Sequence, residues 1–336
     1  MNGIKAAITA IGGYVPQSRL TNEDLSRRVE TSDEWITTRT GIKERRILED
    51  DTLGTSYMCI RAAEDLLKKS GCLPSEIDGV IVCTITPDYP VANTAAFVAS
   101  SIGAEKAFAM DLVAACSGFI SGLYTASSFV ESGRCKKVLL IAGDKMSSII
   151  DPEDRATCIL FGDGAAAALV EPSRNGYGIE ETYLRCDGTG REYLRIDVGG
   201  SVNPPTVENV SQRRHFVRQD GRVVYKYAVT NMAKACQAVL EKCSLKNEDI
   251  DWLLPHQANL RIIESITANM GLDKEKVLVN IDRYGNTTNA TIPLLLWDFE
   301  KQFKKGDKLL VTAFGGGFTW GAMLITWDCD QEVTNR

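Results

Sequence analysis

The chain is poor in histidine, and its cysteines are not spaced for metal binding. His215 and His256 are the only histidines, and no two of the ten cysteines form a CxxC pair. Zinc sites in proteins are built mostly from such closely spaced cysteines and histidines. We therefore expect no metal site, and we interpret most of the thiols as reduced residues of the core.

Long apolar runs and an excess of positive charge are also missing. No run approaches the roughly 20 apolar residues that cross a bilayer, and the first residues, MNGIKAAITAIGGYVPQ, lack a cleavable signal pattern. The formal net charge of −6 does not suit general binding to nucleic acid phosphates. These absences predict a cytoplasmic protein that binds neither membrane nor nucleic acid.

What the chain does contain is similarity between its two halves. AAEDLLKKSGCLPSEIDGVIVCT resembles ACQAVLEKCSLKNEDIDWLLPHQ, with Asp78 and Asp251 173 positions apart (251 − 78). KKVLLIAGD resembles GDKLLVTAFGG, with Lys137 and Lys308 171 positions apart (308 − 137). FGDGAAAALVEP and FGGGFTWGAMLITW form a third pair at a shorter offset. The repeat predicts an α/β fold of two duplicated βα halves, residues 1–173 and 174–336, each a mixed sheet covered by helices.

Cys116 differs from the other thiols in its position along the chain. It ends the apolar run 107–115, and the following segment, 119–130, is apolar at helical spacing. It is therefore expected at a strand-to-helix turn, where unpaired N–H groups and the helix dipole can lower a thiol pKa from about 8.5 and favour the nucleophilic thiolate. The alternative is a small buried hydrophobic residue in a tight turn.

His256 also stands at the end of a predicted strand. It follows IDWLLP and precedes a segment that is apolar at helical spacing. A catalytic imidazole and a core histidine both remain open at this point. His215, in the polar stretch SQRRHFVRQDG, is interpreted as a surface residue.

Asn286 lies in DRYGNTTNATIP, after the turn residue Gly285 and before a predicted helix from about Thr288 to Phe303. One interpretation is a helix cap. The other is a donor of uncharged hydrogen bonds to a developing oxyanion beside a neutral imidazole. The later stretch AFGGGFTWG has neither GxGxxG nor GxxxxGK[ST], so a backbone oxyanion donor is favoured there over a phosphate loop.

In their order along the chain, these segments resemble the beta-ketoacyl-acyl carrier protein synthase III family of thiolase-like condensing enzymes. The resemblance begins with TSDEWITTRTGIKERR at residues 31–46. It continues through DLVAACSGF, DRATCILFGDGAAAALV, GRVVYKYAV, LLPHQANLRII and YGNTTNATIP to AFGGGFTWG. It implies a thiolase-like fold with αβαβα layers and a homodimer.

The resemblance also implies roles for individual residues. The catalytic set matches Cys116, His256 and Asn286, and the oxyanion hole matches the N–H groups of Cys116 and Gly316. Residues that bind coenzyme A match Trp35, Arg155 and Asn259, and Lys226 and Arg261 match positions that meet the acidic carrier protein or the pantetheine phosphate. By their charge, Arg213 and Arg214 are further candidates for this basic patch. Two positions depart from the family pattern. Val91 occupies the position at which the family often has a phenylalanine that reaches into the acyl pocket of the partner subunit. Asn289 replaces the small residue that the family usually has at that position.

The implied activity is the initiating condensation of type II fatty acid synthesis. An acyl group, with acetyl as the expected primer, passes from acyl-coenzyme A to Cys116. Decarboxylative Claisen condensation with malonyl-acyl carrier protein then gives a beta-ketoacyl-carrier protein and carbon dioxide, without metal or redox cofactor. Asn286 in place of a second histidine distinguishes the chain from elongating enzymes, and the cysteine-free loop GGGFTWG distinguishes it from thiolases.

Two alternatives stay open at this stage. A related acyl-transferring or secondary-metabolite condensing enzyme would share every motif and differ in primer or acceptor. A papain-like hydrolase also uses cysteine, histidine and asparagine, but its CGSCW-type signature is absent. The stretch 198–222, poor in periodic apolar residues, is predicted to be a mobile flap over the entrance.

Overall fold

A computed structural model describes residues 3–329, so the ends of the two predicted halves, residues 1–2 and 330–336, lie outside the described residues. The strands are β1 (Ala6–Tyr14), β2 (Arg19–Thr21), β3 (Glu44–Arg46), β4 (Gly79–Cys83), β5 (Phe108–Leu112), β6 (Val138–Asp144), β7 (Gly164–Pro172), β8 (Gly178–Cys186), β9 (Leu194–Ile196), β10 (Val217–Gln219), β11 (Trp252–Pro255), β12 (Lys308–Gly315) and β13 (Thr319–Thr326).

The helices vary from single turns to the long α8. They are α1 (Asn22–Ser26), α2 (Asp33–Thr40), α3 (Thr55–Ser70), α4 (Thr94–Ser101), α5 (Gly118–Glu131), α6 (Arg155–Cys158), α7 (Val207–Ser211), α8 (Gly221–Lys242), α9 (Leu260–Met270), α10 (Ile281–Tyr284) and α11 (Thr291–Phe299). Short 3₁₀ helices at Ala115–Ser117 and Thr288–Ala290 precede α5 and α11. Within residues 3–329, no helix combines the length and apolar character needed to span a bilayer.

Two mixed sheets of five and four strands have the same order over four strands, and β5 at the edge of the first sheet is the additional strand. The first runs β1-β7-β6-β4-β5 and the second β8-β13-β12-β11. In both, an antiparallel pair is followed by strands that run parallel, β6 with β4 and β12 with β11. The predicted duplication is confirmed in this order. The boundary between residues 173 and 174 stays a prediction, supported by the fact that β7 and β8 belong to different sheets.

The repeated sequence pairs make repeated contacts. The Asp78 carboxylate accepts a hydrogen bond from the Lys137 N–H at 3.0 Å, and the Asp251 carboxylate accepts one from the Lys308 N–H at 2.8 Å. Each aspartate thus ties the start of one parallel strand to the start of its neighbour. The third pair has a shorter offset because 145–163 form an excursion between β6 and β7, whereas β12 and β13 are joined directly by 316–318.

The helices form the outer and central layers around the sheets. On β6, Leu140 faces a central core shared with α5 and the second sheet, and the adjacent Leu139 packs with α3 and α4. On β12, Val311 faces the same central core, and Leu310 packs with α8 and α9 on the opposite side. This alternation, expected for strands covered on both faces, gives the predicted αβαβα layers, with α5 and α11 between the sheets.

The repeat brings equivalent chain ends to the centre of the molecule. β4 ends at Cys83, and the equivalent strand β11 is followed by His256. The 3₁₀ turns that begin the two central helices, Ala115–Ser117 and Thr288–Ala290, contact each other. Residues from both halves therefore meet at the carboxyl ends of the parallel strands, where α/β proteins commonly bind ligands.

Candidate active site

A cavity of about 420 Å³ lies where the two halves meet. Its wall contains Cys116, His256, Asn286 and Gly316, so the predicted side chains converge on one place. The rest of the wall is mostly apolar and includes Ile85, Met146, Leu160, Phe161, Val217 and Met232. The volume falls within the roughly 300–1,000 Å³ of small-molecule sites, and few polar groups serve to orient a ligand there.

Cys116 lies in the predicted strand-to-helix turn. β5 ends at Leu112, and Ala115, with a φ of 44°, begins the 3₁₀ turn that leads into α5. The thiol is buried, with 7% of the residue exposed. The turn therefore points the sulfur into the cavity wall and not into solvent.

The expected lowering of the Cys116 pKa is wrong for this structure. Burial, with a smaller contribution from the negative charge of Asp144, raises the pKa of the thiol to about 12. The thiolate loses more by leaving water than it gains from the start of α5. The resting residue is therefore a neutral thiol, whose proton must leave as the sulfur attacks.

His256 is held by the backbone of the second sheet. Its N–H donates to the Thr312 carbonyl at 2.8 Å, which continues the pairing of β11 with β12 beyond the strand end. The ring is buried, and its Nδ1 lies 2.7 Å from the Thr291 hydroxyl oxygen. Burial lowers the pKa of the imidazole to about 3, so the ring is neutral at physiological pH.

These two pKa shifts favour a neutral thiol beside a neutral imidazole. A papain-like hydrolase depends on the opposite arrangement, a thiolate paired with an imidazolium, in which the cysteine pKa is strongly lowered. The electrostatics of Cys116 and His256 therefore argue against the hydrolase alternative.

A backbone hydrogen bond holds Asn286 in position, and a second hydrogen bond orients its side chain. Its N–H donates to the Leu160 carbonyl at 2.8 Å, and the preceding Gly285 has a φ of 64°. A Cβ on Gly285 would lie 2.7 Å from the Leu160 oxygen, so only glycine fits. The Asn286 carboxamide oxygen accepts the Thr288 N–H at 2.9 Å, which leaves the NH₂ group for a ligand. Asn286 is not the cap residue of the following helix.

The glycine loop lies directly against the Cys116 turn. A Cβ on Gly315 would stand 2.7 Å from the backbone nitrogen of Cys116, so a larger residue would push the two segments apart. Thr319 fastens the contact, since its hydroxyl oxygen lies 2.8 Å from that of Ser117 and 3.2 Å from the Ala114 carbonyl oxygen. Sequence reasoning missed this pair, although Ser117 follows Cys116 directly and Thr319 belongs to GGGFTWG.

Asp144 is a further residue that the sequence reasoning missed. Its carboxylate is fully buried at the end of β6 and accepts six hydrogen bonds. Three donors come from Thr84, Ile85 and Thr86 in the first half, and three come from Thr288 and Asn289 in the second. The aspartate in KKVLLIAGD therefore joins the two halves beside the cavity.

Asn289, noted as a departure from the family pattern, is part of this junction. Its side-chain NH₂ donates to Asp144 at 2.7 Å. Its carboxamide oxygen is buried without a hydrogen-bond partner and would lie 1.9 Å from a Cβ at position 118. Gly118, the first residue of α5, is thus required by Asn289 in the other half.

The residues predicted to bind coenzyme A lie beside the cavity. The Arg155 guanidinium is 5.0 Å from the centre of the Trp35 ring, and Arg39, which sequence reasoning missed, is 4.6 Å from the same ring. Trp35 packs in an apolar cluster that includes Phe161 of the cavity wall. Asn259 lines the cavity, and its side chain accepts the Arg261 N–H at 2.9 Å, which caps α9.

Basic residues occur on the exposed side of α8 and α9. Lys226 and Arg261 are both exposed. The extension of this patch to Arg213 and Arg214 stays a prediction; the Arg213 guanidinium is paired with Asp151 and Glu153, and that of Arg214 lies 4.0 Å from the Asp197 carboxylate. Their positive charge is compensated locally.

Other predicted positions lie at the edge of the site or outside it. Val91 is fully exposed and does not line the cavity of its own chain. His215 is half-buried, with its ring against Phe216, so its interpretation as a surface residue is only partly right. The segment 198–222 includes α7 and β10, and its residue Gln219 lines the cavity; its mobility stays a prediction. Among residues 3–329, no group of three or more metal-ligating side chains is placed to hold an ion.

Comparisons with known proteins agree with the geometry. The family model of 3-oxoacyl-[acyl-carrier-protein] synthase III matches residues 110–188. A second model, of the C-terminal part of the same family, matches residues 240–327. A beta-ketoacyl-[acyl-carrier-protein] synthase III of Phocaeicola vulgatus is 52% identical over 98% of this chain and 99% of its own length. The crystal structure of 3-oxoacyl-[acyl-carrier-protein] synthase III from Aquifex aeolicus has a TM-score of 0.89 at 42% identity, over 96% of this chain and 100% of that chain. The corresponding protein from Thermus thermophilus has a TM-score of 0.89 at 44% identity, over 96% and 99%.

The raised thiol pKa predicts how Cys116 reacts with an alkylating agent. Its rate with iodoacetamide should rise about tenfold per pH unit up to about pH 9.5 without a plateau, because the thiolate fraction keeps growing well below the pKa. Mass spectrometry of the Cys116 peptide measures the rate, and the exposed Cys186 monitors the reagent in the same sample. A plateau near neutral pH would show that the thiolate is stabilised instead.

Proposed function

The chain belongs to the 3-oxoacyl-[acyl-carrier-protein] synthase III family and is an initiating condensing enzyme of fatty acid synthesis, and we propose that Cys116, His256 and Asn286 carry out its two chemical stages. The observation that carries this proposal is their convergence on one mostly apolar cavity. Their chemistry suits separate tasks, since a thiol can form a covalent intermediate and two neutral donors can hold an oxyanion.

In the first stage, Cys116 takes the acyl group from acyl-coenzyme A. The sulfur attacks the thioester carbonyl, and the resulting oxyanion accepts hydrogen bonds from the N–H groups of Cys116 and Gly316. The bond to the coenzyme A sulfur then breaks, and the proton lost by the Cys116 thiol ends on the released coenzyme A thiol. The close contact between Gly315 and the backbone of Cys116 supports this role, because it brings the glycine loop against the nucleophile.

In the second stage, malonyl-carrier protein supplies the carbon nucleophile. The bond to the malonyl carboxylate breaks, carbon dioxide leaves, and the electron pair moves onto the thioester carbonyl as an enolate. His256 and Asn286 donate hydrogen bonds to this oxygen. The enolate carbon attacks the acyl-cysteine, the carbon–sulfur bond breaks, and a solvent proton restores the Cys116 thiol.

The neutral state of both donors supports this assignment. A neutral imidazole and a carboxamide stabilise a developing negative charge without requiring a buried cation in the resting enzyme. The secondary-metabolite alternative is not favoured, since relatives near 50% identity over almost the full chain are named as beta-ketoacyl-[acyl-carrier-protein] synthase III. Acetyl-coenzyme A remains the proposed primer.

Single substitutions should separate the two stages. Cys116→Ala should abolish acyl transfer and leave decarboxylation of malonyl-carrier protein measurable. His256→Ala and Asn286→Ala should slow decarboxylation on the order of 10²–10³-fold, as for the loss of other oxyanion donors, and retain acylation of Cys116. The readouts are the mass of the intact protein with a panel of acyl-coenzyme A primers, and release of labelled carbon dioxide. An acyl group retained on Cys116→Ala at Cys83 or Cys158 would refute the nucleophile assignment.

We further propose separate binding surfaces for the two substrates. The adenine of coenzyme A lies between the Trp35 ring and the Arg155 guanidinium, and Asn259 holds the pantetheine arm. Because Arg155 already contacts the Trp35 ring, its guanidinium must move outward to admit the base. The exposed cations Lys226 and Arg261 meet the acidic carrier protein. The hydroxyl oxygen of Tyr225, next to Lys226, lies 2.9 Å from the hydroxyl oxygen of Ser265, and this hydrogen bond holds α8 against α9.

Kinetics with each substrate should distinguish these surfaces. Trp35→Ala should raise the KM for acyl-coenzyme A by at least about fivefold, because it removes a base–aromatic stacking contact worth about 1–3 kcal/mol. The KM for malonyl-carrier protein should be unchanged. Lys226→Glu or Arg261→Glu should raise the KM for malonyl-carrier protein severalfold and leave the KM for acyl-coenzyme A unchanged. The increase should be larger at low salt, where charges are less screened. Lys234→Glu, roughly 12 Å further along α8, is the matched control. An unchanged carrier KM would remove the substituted residue from the docking surface.

The homodimer is proposed to form along the edge strand β5. Phe108 on this strand, Val113 just after it and Phe97 on the adjacent α4 are exposed apolar side chains. Such an edge favours pairing with another chain. Val91, fully exposed, lies in the segment that precedes α4 and would reach into the partner's acyl pocket. A valine there, smaller than phenylalanine, leaves room for a longer or branched primer.

Two substitutions test the interface and the pocket. Val113→Asp should halve the mass measured by light scattering, because a charge cannot be buried there cheaply, and Val202→Asp, on the exposed segment 198–222, should leave the mass unchanged. Val91→Phe should keep the dimer and shift acylation towards acetyl over longer or branched acyl groups. A dimeric Val113→Asp would place the interface elsewhere, and an unaltered primer profile would take Val91 out of the pocket.

A further inference from the structure

The imidazole of His256 has a side-chain partner that the catalytic scheme does not yet use. Nδ1 of the ring lies 2.7 Å from the hydroxyl oxygen of Thr291, the first residue of α11. Both residues are buried, with 3% and 2% exposed. Whether the ring donates or accepts at this contact decides which nitrogen carries the proton of the neutral ring, and therefore what Nε2 offers to a ligand.

The Thr291 hydroxyl has one proton and two possible acceptors. One acceptor is Nδ1, and the other is the Thr288 carbonyl at 3.1 Å. That carbonyl already accepts the backbone N–H of Thr291. If the hydroxyl donates to Nδ1, both Nδ1 and the Thr288 carbonyl have a hydrogen-bond donor. This arrangement also uses the shorter of the two hydroxyl contacts.

We propose that the Thr291 hydroxyl donates to Nδ1 and thereby keeps His256 in the tautomer with its proton on Nε2. This inference rests on the proposed role of His256, because only an Nε2–H can donate to the thioester carbonyl together with the Asn286 NH₂ group. Thr291 is a positioning residue, since it acts on the substrate only through His256. With the proton on Nδ1, a lone pair would face the forming oxyanion and repel it.

The position of Thr291 is fixed by the junction at Asp144. Thr288, three residues earlier, has a φ of 49° and donates its hydroxyl proton to the Asp144 carboxylate at 2.5 Å. Its N–H is held by the Asn286 carboxamide oxygen. The two catalytic donors thus share one short segment, in which Asn286 is oriented through Thr288 and His256 through Thr291.

Isosteric variants test the proposal through activity. Thr291→Val, which removes the hydroxyl at nearly constant volume, should slow decarboxylation of malonyl-carrier protein about 10–100-fold, as seen when a supporting hydrogen bond to a functional imidazole is lost. Acylation of Cys116 by acyl-coenzyme A should change much less. Thr291→Ser should restore the wild-type rate. The matched control is Thr267→Val, which removes another buried hydroxyl, one that donates only to the Ile263 carbonyl within α9.

The tautomer itself is measurable because the chain has two histidines. Long-range ¹H–¹⁵N spectra of histidine-labelled protein at neutral pH, with His215→Gln for assignment, should show Nε2–H for His256 in the wild type and in Thr291→Ser. Thr291→Val should show a mixture or the other tautomer. Nδ1–H in the wild type would overturn the proposal, and that measurement needs no variant at Thr291.

The two measurements separate this inference from the function it builds on. An Nε2–H signal that is lost in Thr291→Val, with decarboxylation unchanged, would uphold the tautomer assignment and remove His256 from the decarboxylation step. If Thr291→Val and Thr267→Val lower the decarboxylation rate equally, the loss comes from general destabilisation of the fold. That result would refute the positioning role of Thr291.

Discussion

The buried carboxylate of Asp144 is the interaction on which the site depends. An ionised carboxylate in the interior is costly unless its oxygens are satisfied, and here six donors surround it. Half of them come from the segment after β4 and half from the turn before α11. The duplicated halves could pack through apolar surfaces in several registers, whereas this set of hydrogen bonds is complete in only one. The position of Asn286, Thr291 and hence His256 relative to Cys116 follows from it.

Burial determines the charge state of Cys116 and His256, and the Asp144 carboxylate adds to its effect at Cys116. Burial is the larger effect and the negative charge of Asp144 the smaller one, and both disfavour the Cys116 thiolate. Burial alone keeps His256 neutral. Cys116 and His256 thus form no ion pair with each other before substrate enters. In the proposed mechanism, charge appears only when an oxyanion forms, and the proposed donors, the backbone N–H groups, Nε2–H and a carboxamide, are then already in place to receive it.

Local pattern was enough to predict the strand-to-helix turn at Cys116, the placement of His256 after a strand and the repeat of two βα halves, whereas the αβαβα layers were implied only by the family resemblance. The turn, the placement and the repeat depend on apolar periodicity and on offsets along the chain, which are visible in one sequence. The hydroxyl of Thr319, the carboxylate of Asp144 and the pairing of Arg213 with Asp151 could not be found in this way, because each contact joins segments far apart in sequence. The direction of the Cys116 pKa shift was missed for a related reason. Burial, which raises the pKa, depends on the surrounding packing, whereas the helix start, which would lower it, is a local feature.

The two glycines at the seam between the halves limit how the sequence can change. A single methyl group at position 118 would collide with Asn289, and one at position 315 would collide with the backbone of Cys116. Each half therefore carries a spacing constraint imposed by the other, even though neither glycine takes part in the chemistry. A smaller residue at position 289 would remove the collision at position 118, so a change at one of these positions alters which residues fit at the other.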